Sequence, residues 1–303
     1  MNLKHKLSSG IKYLTNKNYR FLVNANLGLY NYLNDEEYLK RRYKACIGKD
    51  LDIDNPCSFN EKMQWIKLYD RNPLYTKLVD KYEAKKIVSE MIGDEYIIPN
   101  LGVWDNVLDI DWEALPKQFV IKATHDSGGV VICKDKNTFD IKAAIKKLNK
   151  SLKHDYYLEN REWPYKNVKR RIIAEKYMQD DNNDVLIDYK LMCFSGKVKC
   201  TFVCTDRFSK EGLKVTFFDN NWERLPFERH YPSSKALIPQ PKHLSKMIEL
   251  AEVLSKDIPF VRVDFYEING NIYFGEMTFF PGSGFEEFTP IEWDYTLGSW
   301  INI

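Results

Sequence analysis

The chain has 303 residues, enough to bury a substantial core as one large domain or two to three small ones. Its 45 Lys and Arg nearly balance 43 Asp and Glu, a net charge of +2, which argues against a protein that binds nucleic acid through a basic surface. No run approaches the roughly 18 apolar residues a membrane span needs, no apolar leader follows Met1, and six cysteines without a CxxC pair or a His partner at zinc spacing read as reduced core thiols of a cytosolic protein.

Residues 1–70 read mainly as helix. The first 34 carry Lys4, Lys6, Lys12, Lys17 and Arg20 without one Asp or Glu, which suits a solvated or partner-bound helix, or one lying on an anionic membrane. Pro56 and Ser58 break the pattern before an apolar-striped helix at about 58–70, and VDKYEAKKIVSEMIG (79–93) predicts another, with Lys81, Lys85 and Lys86 readable as surface charge. FVIKATHDSGGVVICKDK (119–136) predicts a strand ending at Lys122, a loop containing Ser127, Gly128 and Gly129, and a second strand. That order differs from the strand–loop–helix of a Walker or dinucleotide motif. A flexible loop over a phosphate with Lys122 at its root fits it, and so does a plain hairpin with a polar tip, where His125 bonds a neighbour.

A helix at about 138–152 and an aromatic, polar loop at 153–168 that would touch substrate come next. RIIAEKYM (171–178) reads as strand and hinge, followed by an Asp/Asn-rich turn at 180–184 and a long hairpin, 186–207, around Ser195-Gly196. PKHLSKMIELAEVLSKD (241–257) is an amphipathic helix leading into VRVDFYEINGNIYFGEMTFFPGSG (261–284), a hairpin. Its register decides whether a site forms. With Asn269-Gly270 as a two-residue turn, Asp264 faces Gly275 and Glu276 lies on the opposite side. With a three-residue turn, Ile268-Asn269-Gly270, and a bulge at Gly270, Arg262 pairs with Glu276, and Arg262, Asp264, Glu276 and Thr278 share one face. The second register separates apolar from charged residues and is the one expected. Two acids beside a guanidinium suit Mg²⁺ next to a bound phosphate, or a solvated edge with a cross-strand ion pair. The loop Pro281-Gly282-Ser283-Gly284 offers N–H groups to an anion.

Taken in order, NPCSFNEKMQWIKLYD, VDKYEAKKIV, FVIKATHDSGG, REWPYKNVKRRIIAEKYM, DYKLMCFSGKV and RVDFYEINGNIYFGEMTFFPGSG resemble the TupA-like (teichuronopeptide biosynthesis) ATP-grasp family over roughly residues 55–300. The resemblance implies an α+β ATP-grasp fold, two α+β lobes clamping ATP, behind a helical extension. The implied division is 1–70 extension, 71–117 amino-terminal α/β part, 118–178 lid and 179–303 core. Lys81 and Lys122 resemble the lysines on ATP phosphates, together with the loop at Ser127, Gly128 and Gly129. Glu175, Lys176, Tyr177 and Met178 resemble the adenine-binding hinge, and the resemblance puts Asp180 or Asp181 within reach of the ribose. Lys190 resembles the lysine near the γ-phosphate, and Arg262 the catalytic arginine. Asp264, Glu276 and Thr278 stand at the Mg²⁺ positions, although many ATP-grasp enzymes carry Asn where this chain has Thr278, and a hydroxyl is the poorer ligand.

The implied activity is an ATP-dependent carboxylate–amine ligation through an acyl phosphate, with ATP and Mg²⁺ as cofactors. The implied partner is a small-molecule or polysaccharide-precursor substrate with a carboxylate, such as a sugar uronate, in cell-surface polysaccharide assembly. Alternatives are phosphoryl transfer to a sugar hydroxyl, a nucleotide-binding module without catalysis, and a glycosyltransferase using an acidic pair such as Asp52/Asp54 or Asp180/Asp181.

Overall fold

In the computed structural model, which describes residues 10–181, 186–207, 209 and 211–303, helices gather around two antiparallel sheets. Lys4 and Lys6 of the basic segment, and residues 182–184 of the expected Asp/Asn-rich turn, lie outside the described residues. Residues 10–15 and α1 (Lys17–Asn26) are helical, and Asn16 caps α1 by accepting from the Tyr19 N–H. Ile11, Leu14, Leu27, Leu29 and Tyr32 of this segment are exposed. α2 (Asp35–Ile47) opens on three acids, which the helix dipole favours, and closes on left-handed Gly48.

The break at Pro56 and Ser58 starts α3 (Phe59–Tyr69), where Ser58 and Glu61 form a reciprocal capping box. After α4 (Leu74–Val79), α5 (Glu83–Ile92) begins later than the periodicity suggests. The reason is Asp80, whose side chain accepts from the Tyr82 and Glu83 N–H groups at 2.9 and 3.4 Å and holds a turn ahead of the helix.

The first sheet runs β1-β4-β2-β3, from β1 (Asn100–Trp104), β2 (Phe119–Ala123), β3 (Val131–Cys133) and β4 (Ile172–Lys176). α6 (Ile141–Lys153) closes one face, burying Leu148 against Phe119, Ile121, Ile172 and Ala174, and α7 (Tyr156–Asn160) follows it. The second sheet runs β10-β9-β5-β6-β7, from β5 (Asp188–Phe194), β6 (Lys197–Thr205), β7 (Lys214–Phe218), β9 (Phe260–Ile268) and β10 (Asn271–Thr278). β8 (Glu228–Arg229) pairs apart from it with β11 (Phe288–Thr289). The β5–β6 turn falls at Ser195-Gly196 as expected, with φ of 48° and 76°. α8 (Leu244–Leu254) packs Met247, Leu250 and Ala251 into the core that holds Val261, Val263 and Phe265. All six cysteines are free, and Cys133, Cys193 and Cys200 are buried as strand residues.

α9 (Glu292–Ser299) brings the carboxy-terminal end onto the start of α3. Asp294 accepts from the Asn60 backbone at 2.9 Å and from its side chain at 3.1 Å, so one carboxylate serves two of that helix's early donors. Gly298 permits the approach: a Cβ there would lie 2.2 Å from the Cys57 carbonyl oxygen and 2.7 Å from the Phe59 nitrogen. Both neighbours are backbone, so Gly298→Ala is expected to cost ~2–3 kcal/mol by overpacking. Chemical denaturation checks it, and an unchanged midpoint would show that the helices separate freely.

Candidate active site

The hairpin of β9 and β10 turns through Asn269-Gly270 alone, both left-handed at φ of 50° and 76°. The three-residue turn expected from the sequence is therefore wrong, and Arg262 is not the cross-strand register partner of Glu276. Phe265 faces Phe274 and Tyr266 faces Tyr273, the register that by itself would send Glu276 to the far side. A bulge between Phe274 and Glu276 then inserts one residue, after which Asp264 faces Glu276, Val263 faces Met277 and Arg262 faces Thr278. The four polar residues share a face as expected, by a different device. Gly275 makes it possible, because a Cβ there would sit 3.1 Å from the Asp264 carbonyl oxygen and 3.2 Å from the Tyr266 ring.

Across the sheet the polar face continues as a transverse row, Glu276–Asp264–Lys190–Phe202, set by the β10, β9, β5 and β6 registers. Arg262 donates from Nε to Asp264 Oδ1 at 2.6 Å, and from Nη2 to Asp264 Oδ2 at 2.7 Å and Glu276 Oε1 at 2.8 Å. Lys190 pairs with both Asp264 and Asp188. Thr278 donates to Glu276 Oε1 at 3.2 Å. Burial opposes a charged lysine at position 190, yet Asp264 and Asp188 hold Lys190 above its ordinary value. Burial likewise opposes the charge of Glu276, but Arg262, Lys190, Lys81 and Lys122 hold its carboxyl down to about 2.

Among the described residues no three His, Cys, Asp or Glu side chains converge as a metal cage. The donors present are oxygens only, the carboxylates of Asp264 and Glu276 and the hydroxyl of Thr278. That chemistry suits Mg²⁺, which takes one or two carboxylates and draws the rest of its shell from phosphates and water. Asp264 would exchange part of its contact with Arg262 for the ion.

The first sheet supplies facing cations. Lys122, at the end of β2, pairs with Glu175 of β4 at 2.6 Å, and Lys85 reaches the same carboxylate at 2.5 Å. Lys85 is thus a buried structural cation, also bonded to the Ile98 carbonyl and the Asn100 side chain at 2.8 Å, whereas Lys86 is exposed as read from the sequence. Although burial resists it, the two lysines hold Glu175 to about 2. Lys176 is exposed at the strand end, with half-buried Tyr177 and Met178 after it. The Asp181 N–H donates to the Asn269 side chain at 2.9 Å, tying the hinge exit to the hairpin turn.

The glycine-containing loop is anchored from below. Buried Asp126 accepts from Ser151 and from the Gly129 N–H (3.3 Å), and its carbonyl accepts from Lys81. His125 is buried, with Nε2 against the His154 carbonyl at 3.2 Å, and burial lowers it. Gly128 has open space where a Cβ would stand. Lys81, Ser127, Arg262, Glu276 and Thr278 meet around one cavity of about 220 Å³. The cavity also takes residues the sequence did not single out by number: Tyr156 of α7, Glu162 and Tyr165. The expectation that 153–168 touches substrate pointed to them, and Gly282 and Ser283 of the glycine-containing run expected to meet an anion line the same cavity. Asp52 caps the turn at Asn55 (2.9 Å), far in sequence from every residue of this cavity.

None of the curated proteins matches the chain. Among solved structures, the D-alanine–D-alanine ligase of Bacillus anthracis complexed with ATP is 17% identical over 67% of this chain and 53% of its own, with a TM-score of 0.38. The corresponding Helicobacter pylori enzyme is 15% identical over 82% of this chain and 70% of its own, with a TM-score of 0.42. The biotin carboxylase domain of the Hydrogenobacter thermophilus 2-oxoglutarate carboxylase, in complex with MgADP, ADP and bicarbonate, is 16% identical over 75% of this chain and 46% of its own (TM-score 0.38). The chain thus spans about half the length of the first of these relatives. The family model for TupA-like ATPgrasp matches residues 61–302, all but the amino-terminal helices and Ile303. With that match covering most of its length, the chain belongs to the TupA-like ATP-grasp family.

Proposed function

We propose that the protein is an ATP-dependent ligase that joins a carboxylate to an amine through an acyl phosphate. The observation that carries this reading is the charge arrangement at and around the cavity. Lys81, Arg262 and Glu276 line it, and Lys122, Lys190 and Asp264 lie close enough to add to the field at Glu276 or to pair with its neighbours, so a polyphosphate and a carboxylate can approach each other without prohibitive repulsion. The γ-phosphoryl group passes from ATP to the carboxylate, releasing ADP. The amine, its ammonium form having given one proton to water, attacks the acyl carbon through its nitrogen lone pair; the bond to the phosphate oxygen breaks, and phosphate leaves on that electron pair and takes the second proton from nitrogen. Asp264 and Glu276, with Thr278, would hold Mg²⁺, which would neutralise phosphate charge. Lys81 and Lys122 orient the phosphates, and the loop at 124–130 excludes water that would hydrolyse the acyl phosphate. Glu175 and the backbone of Lys176–Met178 take the adenine edge, with Asp181 toward the ribose. The substrate class proposed is a sugar uronate or a related acid of a cell-surface polysaccharide precursor, amidated by an amino acid.

The test is ADP release from ATP and Mg²⁺ with uronic acids paired with amino acids, and mass spectrometry of the products. Amide together with ADP and free phosphate supports ligation. A phosphorylated acceptor without free phosphate would replace it with phosphoryl transfer to a hydroxyl.

No helix among the described residues is long and apolar enough to cross a membrane. A peripheral contact suits this substrate class: exposed Ile11, Leu14, Leu27, Leu29 and Tyr32 accompany Lys12, Lys17 and Arg20 in a segment free of acids. The protein is expected to sediment with vesicles holding 30% phosphatidylserine in a salt-sensitive manner and not with phosphatidylcholine alone. Equal recovery on both would remove the electrostatic contact.

A further inference from the structure

The cavity is lined by charges of both signs. Lys81 and Arg262 are its lining cations, suited to the proposed phosphates and carboxylate. Glu162 lines it as well, with its residue only 3% exposed. Among the described residues its carboxylate has no lysine or arginine ion pair within 4 Å; Oε1 accepts from Ser283 Oγ at 2.5 Å. Glu276 and Asp126, the other acids lining this space, are already engaged, the first with Arg262 and the second with Ser151 and the Gly129 N–H. Tyr156 and Tyr165 stand beside Glu162 on the cavity wall, ring centroids 4.6 Å apart and nearly perpendicular. An acid framed by aromatic rings is a receptor for a desolvated cation.

Behind this wall, buried Lys67 approaches from the opposite side. Its Nζ donates to the Ser283 carbonyl at 2.7 Å and to Gln64 Oε1 at 3.0 Å and lies 4.4 Å over the Phe285 ring. Burial lowers Lys67, with Glu162 pulling it back. Burial pushes Glu162 up, while Lys67 and the Ser283 hydroxyl draw it down. Glu159, also near, raises it slightly, so its ionised form gains from any further positive charge brought into the cavity.

We infer that Glu162, framed by Tyr156 and Tyr165, is the subsite for the primary ammonium of the amine co-substrate. The identity of that ligand rests on the ligase reading. The two lining charges divide the substrates by sign, the ammonium to Glu162 and the carboxylate to Arg262. A purely structural Glu162 would brace the left-handed run Gly282-Ser283-Gly284, at φ of 58°, 55° and 63°, through the Ser283 hydroxyl. Bracing needs an acceptor oxygen but no charge. Glu162→Gln keeps the oxygen and removes the charge.

The experiment is saturation-transfer NMR on the full chain with ethylammonium and with ethanol, its neutral counterpart, each at the same concentration near pH 7. Ethylammonium is expected to receive at least tenfold more saturation than ethanol on the wild type, and to lose that advantage in Glu162→Gln, whose ATP affinity by calorimetry shows it folded. Equal transfer to ethanol and ethylammonium on the wild type overturns the inference, even if the variant does not fold. Undiminished ethylammonium transfer in the folded variant also overturns it. Absence of ADP formation with every uronate sinks the ligase reading while leaving ammonium binding to be read on its own. Equal transfer to ethylammonium and ethanol on a wild type that still forms ADP sinks the Glu162 assignment alone.

Discussion

Glu276→Gln is expected to lower ADP-forming turnover by about 10²–10³-fold, the usual loss when one charged group of a transition-state clamp is neutralised. It should leave the fold intact. Its side chain is 43% exposed, and the amide can still accept from Arg262 and Thr278, so the hairpin loses charge but not contacts. Asp264→Asn is the instructive contrast. Asp264 is 1% exposed and neutralises Arg262 and Lys190 together, so its amide leaves two cations short of a partner in the core of the sheet. A stability loss of ~3–5 kcal/mol is expected there in addition to lost turnover. Steady-state ADP release and urea denaturation on both variants separate the two effects. Wild-type-like turnover in Glu276→Gln would remove that carboxylate from the reacting centre, and equal stability of the two variants would contradict the burial argument.

Glu175→Gln is expected to destabilise the protein by ~3 kcal/mol, with a Tm fall on the order of 6–10 °C, because Lys85 and Lys122 share that single buried carboxylate. The effect has a pH signature. In the folded chain Glu175 is held to about 2, against an ordinary 4.5. A depressed acid adds stability that is fully present above the unfolded value and disappears as pH falls toward the folded one, here between about 4.5 and 2. Acid unfolding of the wild type should steepen in that window, and the glutamine variant should lack that part of the slope. Superimposable acid transitions would show that the carboxylate is not ionised between its lysines. Nucleotide binding is expected to be linked to the same pair, because a phosphate that draws Lys122 away leaves Lys85 as the sole cation on Glu175.

Much of this was legible in the residues, for reasons that differ by element. The capped start of α3, the Ser195-Gly196 turn, and the strands around Lys122 follow local rules of capping, turn chemistry and alternation, which hold whatever the rest of the chain does. The shared face of Arg262, Asp264, Glu276 and Thr278 was also legible, because separating charge from the core leaves few alternatives. The device behind it was not. Asn269-Gly270 signals a two-residue turn, and only the approach of Gly275 to Asp264 reveals where the extra residue is inserted. Lys85 was misread because its pattern within α5 is that of a surface lysine, and its burial depends on Glu175, 90 positions later. Glu162 left almost no local trace: its neighbours Lys67 and Ser283 come from distant segments that only the folded chain assembles.

The mid-strand bulge makes the carboxylate ribbon a matter of parity. Net removal of one residue anywhere between Tyr266 and Gly275 would rotate everything downstream by half a pleat, presenting Met277 to the nucleotide and driving Glu276 into the aliphatic interior. Relatives that keep this chemistry should therefore lengthen or shorten that ribbon only in even steps, or compensate an odd change with a second one before Glu276.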